Sequence, residues 1–257
     1  MPITSQIIGF LLVFCRIGSI LSAIPFFGEV QIPQRIKNIL YVIISISVYS
    51  AIDKSKIDPI ISKIDESSHY FLLFIIKEIF IGCIIGFIVK VIHSAIHIGG
   101  FILANQSGLS SASMFDPSQK SEGTITSNVL SIFTIAFFLH YDMHIIFIRI
   151  FISSYKAISI GVLDFELYND LFSYILKIFN KSGLIAIQIT APSLISSMLL
   201  MFGSGILSRL MPQLQIFFII IPLQLLLGIL CLGFIVIYTI AYFINEYTDA
   251  VNFLSIQ

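Results

Sequence analysis

Arg209, Pro212, Gln213 and Gln215 stand close together in an otherwise apolar run, within about two helical turns. A charge at bilayer depth costs about 2.5–3.5 kcal/mol on insertion scales, so such a residue is expected to face protein or a water-filled path. Pro212 removes a backbone donor and disfavours a continuous helix through its position. The carbonyl it frees in the preceding turn needs a donor, and Arg209, Gln213 and Gln215 carry donors. That chemistry is structural, since it serves a break in a membrane helix and attacks nothing.

The other polar side chains in apolar segments read similarly. Arg16 lies near the middle of the run 7–24, so a protein partner is favoured over snorkelling to an interface. Lys77 and Glu78 are expected in local or inter-subunit pairs rather than a proton relay, and Lys90 lays its stem along apolar surface. His93 and His97, like His140 and His144, are four residues apart, a spacing that can present two imidazoles to one metal. Neither pair has the glutamate of an H-E-x-x-H motif or a nearby cysteine. Cys15, Cys83 and Cys231 sit singly in apolar segments, which indicates neither a disulfide framework nor a metal centre. No Walker A loop, G-x-S-x-G or Ser-His-Asp pattern is present. No catalytic, metal or cofactor site is therefore expected, and no enzyme.

The elements that hold these residues follow from composition. Of 257 residues, 57% are hydrophobic and 11% charged, with mean hydropathy +1.01; a soluble domain carries roughly 25% charged residues. The chain is membrane-embedded. Fourteen basic residues balance fourteen acidic ones, which leaves no nucleic-acid or polybasic lipid-binding character. No strand-like alternation competes with the apolar runs. The fold expected is all-α: a polytopic membrane protein of helical hairpins, with about six long apolar helices. The start lacks a basic n-region, so residues 7–24 read as a retained first helix rather than a signal peptide.

That first helix is expected to end at Pro25 and Gly28, and Pro33 to open the second at its first turn, over 36–52. Residues 53–68 are the most charged window and read as a solvated connection. Residues 70–104 exceed the roughly 20 that cross a bilayer, and Gly82 and Gly86 form a G-x-x-x-G that lets helix backbones approach closely. Residues 125–138 are apolar, break at 139–144 and resume to 160; 161–170 is an acidic connection. Residues 171–179 lead through Lys181, Ser182 and Gly183 to 184–207. A helix over 216–243, containing Pro222, precedes a short tail at 245–257. Lys and Arg are spread over several loops, so the positive-inside rule gives no firm topology. One membrane domain over 1–257 is expected, with polar connections near 53–68, 105–124 and 161–170.

The middle connection is the flexible one. Gln106, Gly108 and Gly123 bracket a Ser-rich stretch with a turn-forming Asp116-Pro117. Met114 and Phe115 are its bulky apolar residues. It reads either as a surface loop or as a mobile segment folded into a pore, where Met and Phe seal.

Three segments in order resemble the FliR family. They are Arg16-Ile-Gly-Ser with Pro25-Phe-Phe-Gly28, Pro33 and Arg35; 99–108 with Asp116-Pro117; and the Arg-x-x-Pro-Gln-x-x-x-Phe of 209–217, running on through Pro222. The central loop is more Ser-rich than expected, and Gln215 stands where the resemblance would place Asn. The resemblance implies a flagellar type III export-gate subunit in the bacterial inner membrane, at the flagellar basal body. Its implied partners are several FliP-type and FliQ-type subunits, and other components of the FlhA and FlhB type. Unfolded flagellar proteins would be transient substrates, and the central loop (Gln106, Gly108, Met114, Phe115, Asp116, Pro117, Gly123) the plug. Arg16, Pro25, Gly28, Pro33, Arg35, Gly82, Gly86, Arg209, Pro212, Gln213, Gln215 and Pro222 would serve assembly and packing. The alternatives are the equivalent injectisome subunit or, in a different class, a small secondary transporter with a broken binding helix; the inverted repeats usual for the latter are not seen.

Overall fold

Pro33 opens the second helix from outside it. In the computed structural model its φ of −56° and ψ of 136° are not helical, yet its carbonyl accepts from Ile36 and Lys37, so it is the N-cap rather than the first helical residue. The structure describes residues 3–24, 33–52, 64, 68–110, 124–158, 160, 165–211, 213 and 215–256. These hold seven long helices: α1 Ile3–Ala23, α2 Gln34–Ala51, α3 Ser68–Gln106, α4 Ile125–His140, α5 Met143–Ala157, α6 Phe165–Leu210 and α7 Phe217–Ile256. No strand occurs among the described residues. Four helices are long and apolar enough to cross a membrane, and α4 with α5 would make a fifth span if the pair is one broken crossing.

The α4–α5 break has a local cause. Thr124 caps α4 by accepting from the Ser127 amide, and α4 ends at Tyr141-Asp142, where Asp142 takes a left-handed φ of 54°. Asp tolerates that region through its short polar side chain, and a single such residue is enough to end one helix and aim the next.

Three expectations are corrected. The interruption at Lys181-Ser182-Gly183 does not exist, because α6 runs unbroken from Phe165. One glycine costs a helix only about 1 kcal/mol, Ser182 satisfies its hydroxyl on the Phe179 carbonyl, and Lys181 is exposed. The same helix absorbs residues 165–170 of the expected acidic connection. The tail at 245–257 is helical to Ile256. Its Tyr247 and Ala250 are buried, with Tyr247 edge-on to Phe147 at 5.3 Å and Phe253 stacked on Tyr174 at 3.8 Å; this apolar spacing makes it a packed helix end.

Contacts gather the chain into two compact units, Met1–Ile92, Asp142–Ile178 and Asn245–Gln257 in one, His93–Tyr141 and Phe179–Ile244 in the other. In the first, α1 packs on α2, with Phe10 against Tyr49 at 6.1 Å, and Leu12, Ile17, Ile20, Leu21 and Ile24 are wholly buried. In the second, Gly100 of α3 meets α4 so closely that a Cβ there would lie 2.5 Å from the Ser127 Cα. The Gly100 carbonyl accepts from Thr126 at 2.7 Å.

Candidate functional site

The polar residues singled out by the sequence fall into three groups. The first surrounds Arg16. Glu78, Gly82 and Gly86 recur at four-residue intervals on one face of α3. A Cβ at Gly82 would strike the Ser19 hydroxyl and lie 2.6 Å from the Arg16 carbonyl; one at Gly86 would lie 2.5 Å from the Ala23 Cβ. The glycines thus let α1 approach α3 backbone to backbone. That approach sets Arg16 beside Glu78, both fully buried, with Nε donating to Oε2 at 2.6 Å. Arg16 Nη1 also donates to the carbonyls of Ser154 (3.1 Å) and Ile158 (2.9 Å), and its guanidinium lies 4.2 Å from the Tyr155 ring centre. Lys77 is buried as well.

The second group, in the other unit, is at the C-terminus of α3. Gln106 accepts from Ser197 of α6 at 2.6 Å through its side chain, while its backbone carbonyl accepts from Gln224 of α7. Ser107 packs where a Cβ on Gly228 would stand. Gly108 then adopts φ +74°, a conformation glycine takes without strain, and the helix ends. Met114, Phe115, Asp116, Pro117 and Gly123 lie outside the described residues, as do Pro25, Gly28 and Pro212.

The third group is spread along the surface of the same unit. Arg209, in the last turn of α6, is exposed, as are Gln213 and Gln215. Among the described residues none of the three side chains donates a hydrogen bond to another group. An open groove of about 570 Å³ runs beside Arg209, bounded by Met201, Phe202, Gly205, Ile206 and Leu210. α6 ends at Leu210 and α7 starts at Phe217, whereas Pro222 lies inside α7. Arg35 and Lys90 are exposed. His93 is buried with its ring 5.2 Å from that of His97, and no cluster of three metal-ligating residues exists among the described ones.

Sequence reasoning missed the partners more than the residues. Glu78 lies 62 positions from Arg16 and the Ile158 carbonyl 142 positions away, and nothing in spacing announces such pairs. Ser197 and Gln224 carried a faint signal. Ser193, Ser196 and Ser197 form a polar stripe on an apolar helix, and Gln224 is the polar interruption of another.

Among the described residues none of the three groups pairs a nucleophile with a base. The arrangement fastens helices, and it leaves α6 and α7 largely open. Of the membrane-length windows, half of that in α3 is buried, against 22% in α6 and 17% in α7. The family model described as "Bacterial export proteins, family 1" matches residues 7–250. The flagellar biosynthetic protein FliR of Bacillus subtilis (strain 168) is 30% identical over 224 residues, covering 87% of this chain and 84% of that protein. The protein of the same name in Buchnera aphidicola subsp. Acyrthosiphon pisum is 28% identical over 242 residues, covering 93% and 90%. That of Escherichia coli (strain K12) is 25% identical over 215 residues, covering 83% and 78%.

Proposed function

The chain belongs to the FliR family of bacterial export proteins, and on that premise we propose that it is the subunit of the flagellar type III export gate that, with FliP-type and FliQ-type partners, forms the channel for unfolded flagellar proteins across the inner membrane. The observation that carries the assembly part is the apolar surface of α6. Its exposed large apolar residues extend from Phe172 to Leu210, about 57 Å at 1.5 Å per residue. The membrane-length window of α6 is 40 residues long, against the roughly 20 that cross the hydrocarbon core. Lipid covers part of that length, and protein must cover the rest.

The exposed Arg209, Gln213 and Gln215 fit the same reading, since donors unused inside the chain are available to a neighbouring subunit. Components of the FlhA and FlhB type complete the proposed apparatus at the basal body. The central loop is the proposed plug: it begins where Gln106 is held by Ser197 and Gln224, and Met114 and Phe115 are its sealing residues. The subunit supplies no transport energy itself.

Detergent extraction with native mass spectrometry tests the assembly. The expected result is a hetero-oligomer with FliP-type and FliQ-type subunits, and dispersal when the chain is made alone. A monodisperse, stable monomer indifferent to those proteins would overturn the reading.

A further inference from the structure

We infer that Arg16 is the C-terminal cap of α5, with Glu78 as its counter-charge, so that α1 and α3 together hold the second half of the broken α4–α5 segment in place. A helix ends with four carbonyls lacking an intrahelical partner, and a buried end must find donors elsewhere. At α5 the chain turns to extended geometry at Ile158, whose amide closes on the Ser154 carbonyl at 3.0 Å. The Ile158 carbonyl is then orphaned, and Ser154, Tyr155 and Ile158 are all buried. The cation supplied locally, Lys156, is exposed. Arg16 arrives from another helix and gives one nitrogen to both the Ser154 and Ile158 carbonyls.

How Arg16 spends its donors separates a cap from an ion pair. An arginine that serves a carboxylate alone frequently meets it with two parallel hydrogen bonds. Here a single nitrogen, Nε, reaches Glu78, and Glu78 Oε1 and Arg16 Nη2 have no partner among the described residues. The Nη1 nitrogen is committed to α5, and the Tyr155 ring under the guanidinium fixes its plane. A positive end-group also suits the negative end of the α5 dipole. Glu78 makes the buried charge tolerable, and the close approach at Gly82 and Gly86 sets the reach. Arg16 is a positioning residue, and the inference stands apart from the export reading.

Hydrogen exchange read by mass spectrometry on the full chain in its native complex tests this. Arg16→Lys keeps a positive charge opposite Glu78 but loses the planar fork. The amides of 155–158 should then exchange about ten- to a hundredfold faster, the equivalent of one hydrogen bond to a charged group, while those around Glu78 stay near wild type. The triple variant Arg16→Met, Lys77→Met and Glu78→Met removes the buried Lys77 beside the pair as well and so guards against a fold lost to an unpaired buried charge. It should accumulate yet keep the fast exchange at 155–158. Wild-type protection of 155–158 in the variant that lacks both Arg16 and Glu78 would mean that Arg16 only balances Glu78, and would overturn the cap; retained protection in Arg16→Lys would mean that the lysine ammonium caps the same carbonyls.

Discussion

Gly82 shows how one residue type decides a contact between helices. The atoms that a Cβ there would meet are the Ser19 hydroxyl and the Arg16 carbonyl; the carbonyl is backbone and cannot rotate away. Ser19 is further fixed by donating to the Cys15 and Arg16 carbonyls at 2.8 Å each. Gly82→Val should therefore push α1 off α3 and stretch the Arg16–Glu78 contact, a loss of about 1–3 kcal/mol typical of overpacking. Thermal unfolding of the purified native complex checks it, and a variant as stable as wild type would remove Gly82 from the contact. Gly183 is the control: nothing lies within 4 Å of its Cβ position, so Gly183→Ala should be neutral or stabilise by about 1 kcal/mol through helix propensity.

At the scale of elements, the α4–α5 break rests on the left-handed Asp142. Asp142→Gly should keep the break with stability unchanged or slightly raised, whereas Asp142→Val should lose about 1–2 kcal/mol because a β-branched residue is strained there. Equal unfolding temperatures for the two variants would show that the break has another cause. The opposite case is the α6–α7 connection, where Arg209 and Gln213 face outward. Arg209→Ala or Gln213→Leu should lower the yield of assembled complex while leaving the amount of membrane-inserted chain nearly unchanged. Normal yield of complexes that fail to export would move these residues from assembly to transport. The sequence made the long α3 and the glycine ridge of Gly82 and Gly86 legible, because length and four-residue spacing are local signals. It hid the continuity of α6 through Gly183 and the helical end of α7, because a polar triplet imitates a loop and a packed acidic helix end imitates a tail. The partners of Arg16 and Gln106 were hidden more deeply, since tertiary distance leaves no local trace.

For the whole molecule the decisive contrast lies between a buried ion pair in the interior and an open apolar surface. The Arg16–Glu78 pair is closed within the chain, so the burden of unpaired charge on the isolated subunit is smaller than a residue count implies. Apolar exposure on α6 and α7 remains as the support for the proposed partners. Inside an assembled channel, replacing both Met114 and Phe115 by Ala should raise permeability to ions and small molecules with assembly and export preserved. Conductance, or small-molecule sensitivity of cells carrying the altered loop, reads this out. Unchanged permeability in correctly assembled mutants would make the loop a surface connection.

The distances along the chain from Arg16 to its acceptors also set a schedule. Translation adds about 5–20 residues per second, so the 62 positions to Glu78 take about 3–12 s at that rate. The 142 positions to Ile158 take about 7–28 s at the same rate. Throughout that interval the first helix has left the ribosome carrying a cation whose acceptors do not yet exist. It must wait in a polar setting, at the insertion machinery or the membrane surface, and settle only as later helices arrive. The N-terminal helix is thus made first and seated late.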